Sequence, residues 1–165
     1  MITKLSPVLE AILLAADKPL SVELLGQVFD EHDGVDSKRI RLTLKELQKS
    51  YDGRGFELIE VASGFRFQVR QNYALWISRL WQEKPQKYSK ALLETLSIIA
   101  YQQPITRGEI ESIRGVGVSS SIIHTMIDRL WIRSVGHKEV PGRPELFATT
   151  KTFLDHFNLK QLSDL

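Results

Sequence analysis

Leu13–Ser21 (LLAADKPLS) aligns without a gap on Ile98–Thr106 (IIAYQQPIT), 85 residues further along the chain. In both stretches an apolar helix end, a short polar break, a proline, an aliphatic residue and a hydroxyl residue follow in the same order. Beyond the break the match loosens but keeps its phase: Leu25 falls on Ile110 and Val28 on Ile113. A period this long exceeds any solenoid unit and suits a duplicated small domain. The chain therefore reads as two copies of one module, and each copy has room for only a modest core.

The two copies show one plan. In the first, Leu5, Val8, Leu9, Ile12, Leu13 and Ala16 lie on one helical face, with Ser6 and Pro7 as a capping oxygen and a preset φ at the entry. Pro19 stops that helix, and Ser21 caps a short second one carrying Leu24, Leu25 and Val28. After an Asp33-Gly34 turn, Asp36 or Ser37 caps a third helix through Tyr51, with Ile40, Leu44 and Leu47 facing inward. The period then changes to two: Phe56-Leu58 and Phe65-Phe67-Val69 alternate around a Ser63-Gly64 turn, a hairpin signal. The second copy repeats this with a helix over Ser89–Tyr101, a Thr106/Glu109 capping box, and a Gly115/Gly117 turn. A third helix opened by Ser119 or Ser120 follows, on which Ile123, Ile127 and Leu130 take the inward places. Strands over Ile132–Glu139 and Glu145–Thr149 flank the rigid tip Pro141-Gly142-Arg143-Pro144, and a last helix from about Thr150 carries Phe153, Leu154 and Phe157. Three helices and a two-stranded ribbon make a winged helix. The expected fold is mainly α with small β-wings (α+β): tandem winged-helix domains over 1–84, with a linker helix at Tyr73–Gln82, and 85–165.

Composition limits the function classes. An apolar content of 42% with 25% charged residues is that of a globular chain. With no cysteine, disulfides and thiolate metal sites are excluded. Asp17 and Lys18 interrupt the early apolar stretch, which removes a signal-peptide pattern, and no apolar run is long enough to span a bilayer. The expected location is cytoplasmic. His32, His124, His137 and His156 are scattered, without partners at metal-ligand spacing. Arg114-Gly-Val-Gly-Val-Ser119 has neither the preceding strand nor the Gly-Lys-Ser/Thr of a phosphate loop. Glu109 and Glu111 read as charges compensating a helix dipole. No catalytic group, metal site or cofactor is expected.

Two binding readings remain. Lys38, Arg39, Arg41 and Lys45, with Lys49, put a basic stripe on the first recognition-type helix, as phosphate contacts of a DNA-binding regulator require. The equivalent helix of the second copy (SSSIIHTMIDRLWIR) lacks such a stripe, and a formal charge of +2 is small for a dedicated nucleic-acid binder. Against this, Trp76, Trp81, Trp131 and Phe157 are more aromatic surface than small cores hide, which points to protein interfaces.

The stretches ALLETLSIIAYQQPITRGEIESIRGV and PGRPELFATTKTFLDHF, with LSPVLEAILLAADKPLS at the start, resemble the bacterial segregation and condensation protein B family over nearly the whole chain. The resemblance implies a non-enzymatic protein of two winged-helix domains that homodimerises mainly through its N-terminal domain. It further implies binding to the kleisin, segregation and condensation protein A, and through it to the structural-maintenance-of-chromosomes (SMC) ATPase. On this basis Ile105, Ile110, Ile113 and Trp131, with the wing around Arg143, are expected to form or support the kleisin surface. Leu20, Leu24, Leu25 and Val28 are the candidate dimer surface. One departure stands out: the family pattern has a glycine-containing turn where this chain reads Asp128-Arg129-Leu130-Trp131-Ile132, so an altered turn with Trp131 as an added contact is expected.

Overall fold

The computed structural model describes residues 4–80 and 87–165, in two compact units, Met1–Pro85 and Gln86–Leu165. The expected boundary at Lys84-Pro85 and the expected Trp81 contact lie outside the described residues. Each unit is described by itself.

The first unit opens with α1 (Leu5–Ala15), α2 (Val22–Gly26) and α3 (Ser37–Ser50). Ser6 does not cap α1: the helix already begins at Leu5, and Lys4 at the N-cap makes no side-chain bond. Pro7 then sits inside the first turn, where the N–H it lacks has no intrahelical acceptor anyway. Ser21 caps α2 by accepting from the Leu24 amide at 3.2 Å. Val28 lies past the end of that helix. Asp36 caps α3 through the Arg39 amide at 2.7 Å, and Tyr51 closes it as the C-cap. Leu5, Leu9 and Leu13 of α1, Leu25 of α2, and Ile40, Leu44 and Leu47 of α3 then pack with Leu58 and Phe65 into one core.

The wing pairs β1 (Phe56–Val61) with β2 (Gly64–Val69) in an antiparallel register that sets Val61 opposite Gly64. The connecting loop is therefore Ala62-Ser63, one residue earlier than the expected Ser63-Gly64 turn. Gly64 answers a different demand. Leu20 bridges to Phe65 as a third strand, with paired backbone bonds of 2.9 and 2.8 Å. A Cβ on Gly64 would stand 2.2 Å from the Leu20 carbonyl oxygen. After β2 the chain makes a short 3-10 turn, Gln71–Tyr73, and then α4 (Ala74–Leu80).

The second unit repeats the order: α5 (Lys90–Gln102), β3 (Ile105–Thr106), α6 (Arg107–Arg114), α7 (Ser120–Asp128), β4 (Ile132–His137), β5 (Glu145–Thr149) and α8 (Lys151–His156). Its sheet has the order β3-β5-β4, with Ile105 opposite Phe147 and Thr106 opposite Leu146. The repeated Pro-aliphatic-hydroxyl stretch thus does the same work twice. Leu20 and Ile105 each lay an edge strand on the second strand of their own wing. The strand β4 ends at His137 rather than Glu139 and carries a bulge at Ser134/Gly136. Ser89, Ser119 and Thr150 occupy N-cap places, and Thr106 with Glu109 forms the capping box.

The altered turn after the third helix is resolved in an unexpected way. Leu130 adopts the left-handed conformation, φ 57°, which glycine takes without cost, so the backbone keeps the glycine-type turn and a leucine bears it. As a result Leu130 lies beyond α7 and is exposed, not inward as its spacing from Ile127 suggests. Trp131, next in line, turns into the core. Three helices and a two-stranded wing in each unit make the fold mainly helical with small antiparallel sheets, a tandem winged helix.

Candidate protein-interaction surfaces

The five residues expected at a kleisin surface divide into two groups. Ile105, Ile110 and Trp131 are core: Ile110 is fully buried, and Ile105 is only 4% exposed. Trp131 is held among aromatic rings, with centroids 5.1 Å from Tyr88, 4.7 Å from His156 and 5.4 Å from Phe157, while the Arg129 guanidinium lies 5.3 Å away over its face. These three can support a surface only from beneath. Ile113 is 55% exposed and Arg143 is exposed at the wing tip, where Gly142 (φ 84°) and Arg143 (φ 38°) both take positive φ. Arg143 pairs with Glu139 at 3.5 Å.

The scaffold beneath that tip is held by charge-assisted bonds. Glu109 accepts from the Thr106 backbone amide at 2.9 Å and pairs with Lys138 near the end of β4, tying the wing to the start of α6. The Lys138 ammonium and the Thr106 donors hold its carboxyl at about 2, well below the usual range. Glu111 does more than compensate a dipole. It receives the Val118 amide at 2.9 Å and Arg107 Nε at 3.0 Å, clamping the turn between α6 and α7. Its carboxyl is likewise lowered, chiefly by the Val118 N–H. Arg107 completes the clamp by donating to Ser120 Oγ at 3.0 Å and to the Val118 carbonyl. Periodicity alone carries no trace of this clamp, although the Arg107/Glu111 spacing of four is the usual one for a helical ion pair.

Grooves open on the second unit. One, about 300 Å³, runs between α7 and the wing, with Ile123, Ile127, Pro144 and Phe147 as apolar lining and Arg107 and His124 as polar lining. Another, about 710 Å³, follows the outer face of α5 past Leu93, Ile98 and Tyr88 to Arg114, which pairs with Glu94 at 3.3 Å. Among the described residues no cluster of three or more His, Asp or Glu could hold a metal ion.

On the first unit, Leu25 is fully buried and Leu20 half-buried as the bridging strand, so Leu24 and Val28 carry what exposure the expected dimer set has. Sequence spacing missed two further exposed leucines, Leu14 on α1 and Leu42 on α3. The linker helix α4 buries none of its residues, and Leu75, Trp76, Ile77 and Leu80 are all exposed.

The basic set also divides. Lys38, Arg41 and Lys45 line one groove with Ser37 and Leu42. Arg39 turns the other way and donates to the Gly34 carbonyl at 3.2 Å. Nor is Arg70, beside the first wing, free for phosphates: it is taken up by Glu57 at 2.9 Å, by Asp52 at 3.6 Å, and by the carbonyls of Tyr51 and Arg54. Among the described residues no helix is long and apolar enough to cross a membrane.

Residues 7–165 match the family model described as segregation and condensation complex subunit ScpB. The segregation and condensation protein B homolog of Coxiella burnetii is 55% identical over 158 residues, covering 96% of this chain and 76% of that protein. A crystal structure of ScpB from Mycobacterium tuberculosis is 30% identical, with a TM-score of 0.43, over 93% of this chain and 94% of that one. The dimer of a ScpB N-terminal domain complexed with ScpA peptide aligns with 51% of this chain and 99% of that one, at 22% identity and a TM-score of 0.43. With the family model matched over all but the first six residues, this chain belongs to the family of the segregation and condensation complex subunit ScpB.

Proposed function

We propose that this chain binds the kleisin segregation and condensation protein A as a homodimer and through it joins the SMC ATPase, in the cytoplasm and at the nucleoid. Membership of the family, over residues 7–165, is the observation that carries this reading. As a family member the chain is a non-enzymatic subunit in chromosome segregation and condensation. In this reading residues 1–84 form one winged-helix domain and 85–165 the other. Exposed apolar side chains such as Trp76, Leu24, Val28 and Ile113 are what peptide and subunit interfaces use, whereas a phosphate backbone has no use for them. Ile113 and Arg143 are the surface members of the kleisin set, and Leu24 and Val28 those of the dimer set.

The test is light-scattering mass of the chain, alone and with the cognate kleisin's central fragment, at low and high salt. A dimer that takes up the kleisin in both salts is expected. A species that ignores the kleisin and shifts only with duplex DNA at low salt defeats the reading, since phosphate contacts lose affinity steeply with salt.

A further inference from the structure

The duplication provides an internal comparison. Asp36 and Ser119 are the N-caps of α3 and α7, so the two helices align from their caps onward. Their inward residues agree in kind: Ile40 with Ile123, and Leu44 with Ile127. Their outward residues do not. Where α3 carries Lys38, Arg41, Leu42 and Lys45, α7 carries Ser121, His124, Thr125 and Asp128. One module therefore builds its core beneath either face, and neither the cations nor the leucine is demanded by the fold.

The α3 face has a definite shape. Lys38, Arg41 and Lys45 run about 10 Å along the helix at its rise per residue. Together with Ser37 and Leu42 they line an open groove of about 440 Å³. Leu42 is 59% exposed in its middle. The aliphatic stems of the long cations extend its apolar floor, while their charged heads stand at the rim. Opposing charge is sparse: Glu23 stands 3.9 Å from Arg41 and Glu46 is exposed next to Lys45. A phosphate backbone fits this surface poorly. An exposed leucine in the middle of the groove makes no favourable contact with phosphate.

We propose that this face of α3 is a docking groove for an acidic peptide segment, with an aliphatic side chain seated on Leu42 and carboxylates on Lys38, Arg41 and Lys45. Charge complementarity selects an acidic occupant, and on the kleisin-binding reading above, on which this rests, that occupant is a segment of the kleisin.

The experiment moves the outer face of α7 onto α3 (Lys38→Ser, Arg41→His, Leu42→Thr, Lys45→Asp) in the full chain. All four residues already occupy these places in the same module, and Lys45→Asp alone is the second variant should the fourfold one lose its helical circular dichroism. Binding of the cognate kleisin's central fragment and of a 20-base-pair duplex is measured by fluorescence anisotropy. The expected result is kleisin affinity lowered roughly tenfold or more, as loss of several complementary charges and one apolar anchor implies. Duplex binding is expected to stay unchanged. Unchanged kleisin affinity in a folded variant overturns the proposal. So does a variant that keeps the kleisin and loses the duplex, which assigns the groove to nucleic acid. Failure of the parent reading is seen separately, because the unaltered chain then takes up no kleisin at all, and the proposal falls with it.

Discussion

Gly64→Ala tests the structural role assigned to the duplicated stretch. An alanine Cβ at this position falls 2.2 Å from the Leu20 oxygen and 2.5 Å from the Ser21 nitrogen, both backbone atoms with no rotamer to yield. The backbone at Gly64 also has φ 137°, a region that costs a side-chain-bearing residue about 1–3 kcal/mol. Relieving the clash means separating Leu20 from Phe65 and losing two hydrogen bonds, at about 1 kcal/mol each. Phe65 is core, so the displacement also loosens packing against α1. Altogether the substitution should remove about 3–5 kcal/mol, most of what a small domain possesses. Urea unfolding followed by far-ultraviolet circular dichroism measures the loss. Hydrogen exchange at the Leu20 and Phe65 amides locates it, since both should lose protection first. The matching place in the second unit is Leu146 opposite Thr106, where a regular edge strand accepts a side chain. A variant within about 1 kcal/mol of the parent, with both amides still protected, would refute the reasoning.

Trp131→Ala should cost the second unit about 3–5 kcal/mol through the cavity left among Tyr88, His156 and Phe157, and leave the first unit unaffected. Near-ultraviolet circular dichroism during urea unfolding checks it, and any kleisin defect should then follow loss of folding rather than precede it. Glu109 is a carboxylate whose folded value, about 2, lies below its ordinary 4.5, so its contribution is complete above pH 4.5 and lost as pH falls toward 2. Glu109→Gln should flatten stability between pH 5 and 2, by about 1 kcal/mol or less because the pair is largely exposed. Denaturation midpoints at stepped pH give the comparison, and equal pH dependence in the two proteins counts against the pairing.

How much of this was legible in the residues depended on the length of each element. The helix α1 offers Leu5, Leu9 and Leu13 at steady spacing, enough to fix its buried face without a structure. The helix α6 has eight residues, too few to set a phase: Ile110 and Ile113 are three apart, and one is wholly buried while the other is exposed. The edge strands at Leu20 and Ile105 are shorter than any period, so the repeated stretch announced itself only as a break, and Gly64 only as a turn residue. Trp131 shows a second limit. Its burial is set by α8, some twenty residues downstream, whose His156 and Phe157 close over the ring, and no local pattern carries that distance. The basic stripe shows a third. Arg39 and Arg41 are indistinguishable as letters, but a helical step of two residues sends them to opposite sides. Arg39 folds back on Gly34 and Arg41 faces the groove. Interfaces are therefore harder to read than cores: a core is over-determined by many apolar positions, whereas a docking face is three or four residues whose shared direction depends on where the helix begins. Asp36 sets that start for α3 by accepting the Arg39 amide, whereas Ser119 occupies the N-cap place of α7 without a side-chain capping bond. Once the two caps are superposed, the difference between the outward faces of the two copies becomes the most informative feature of the chain.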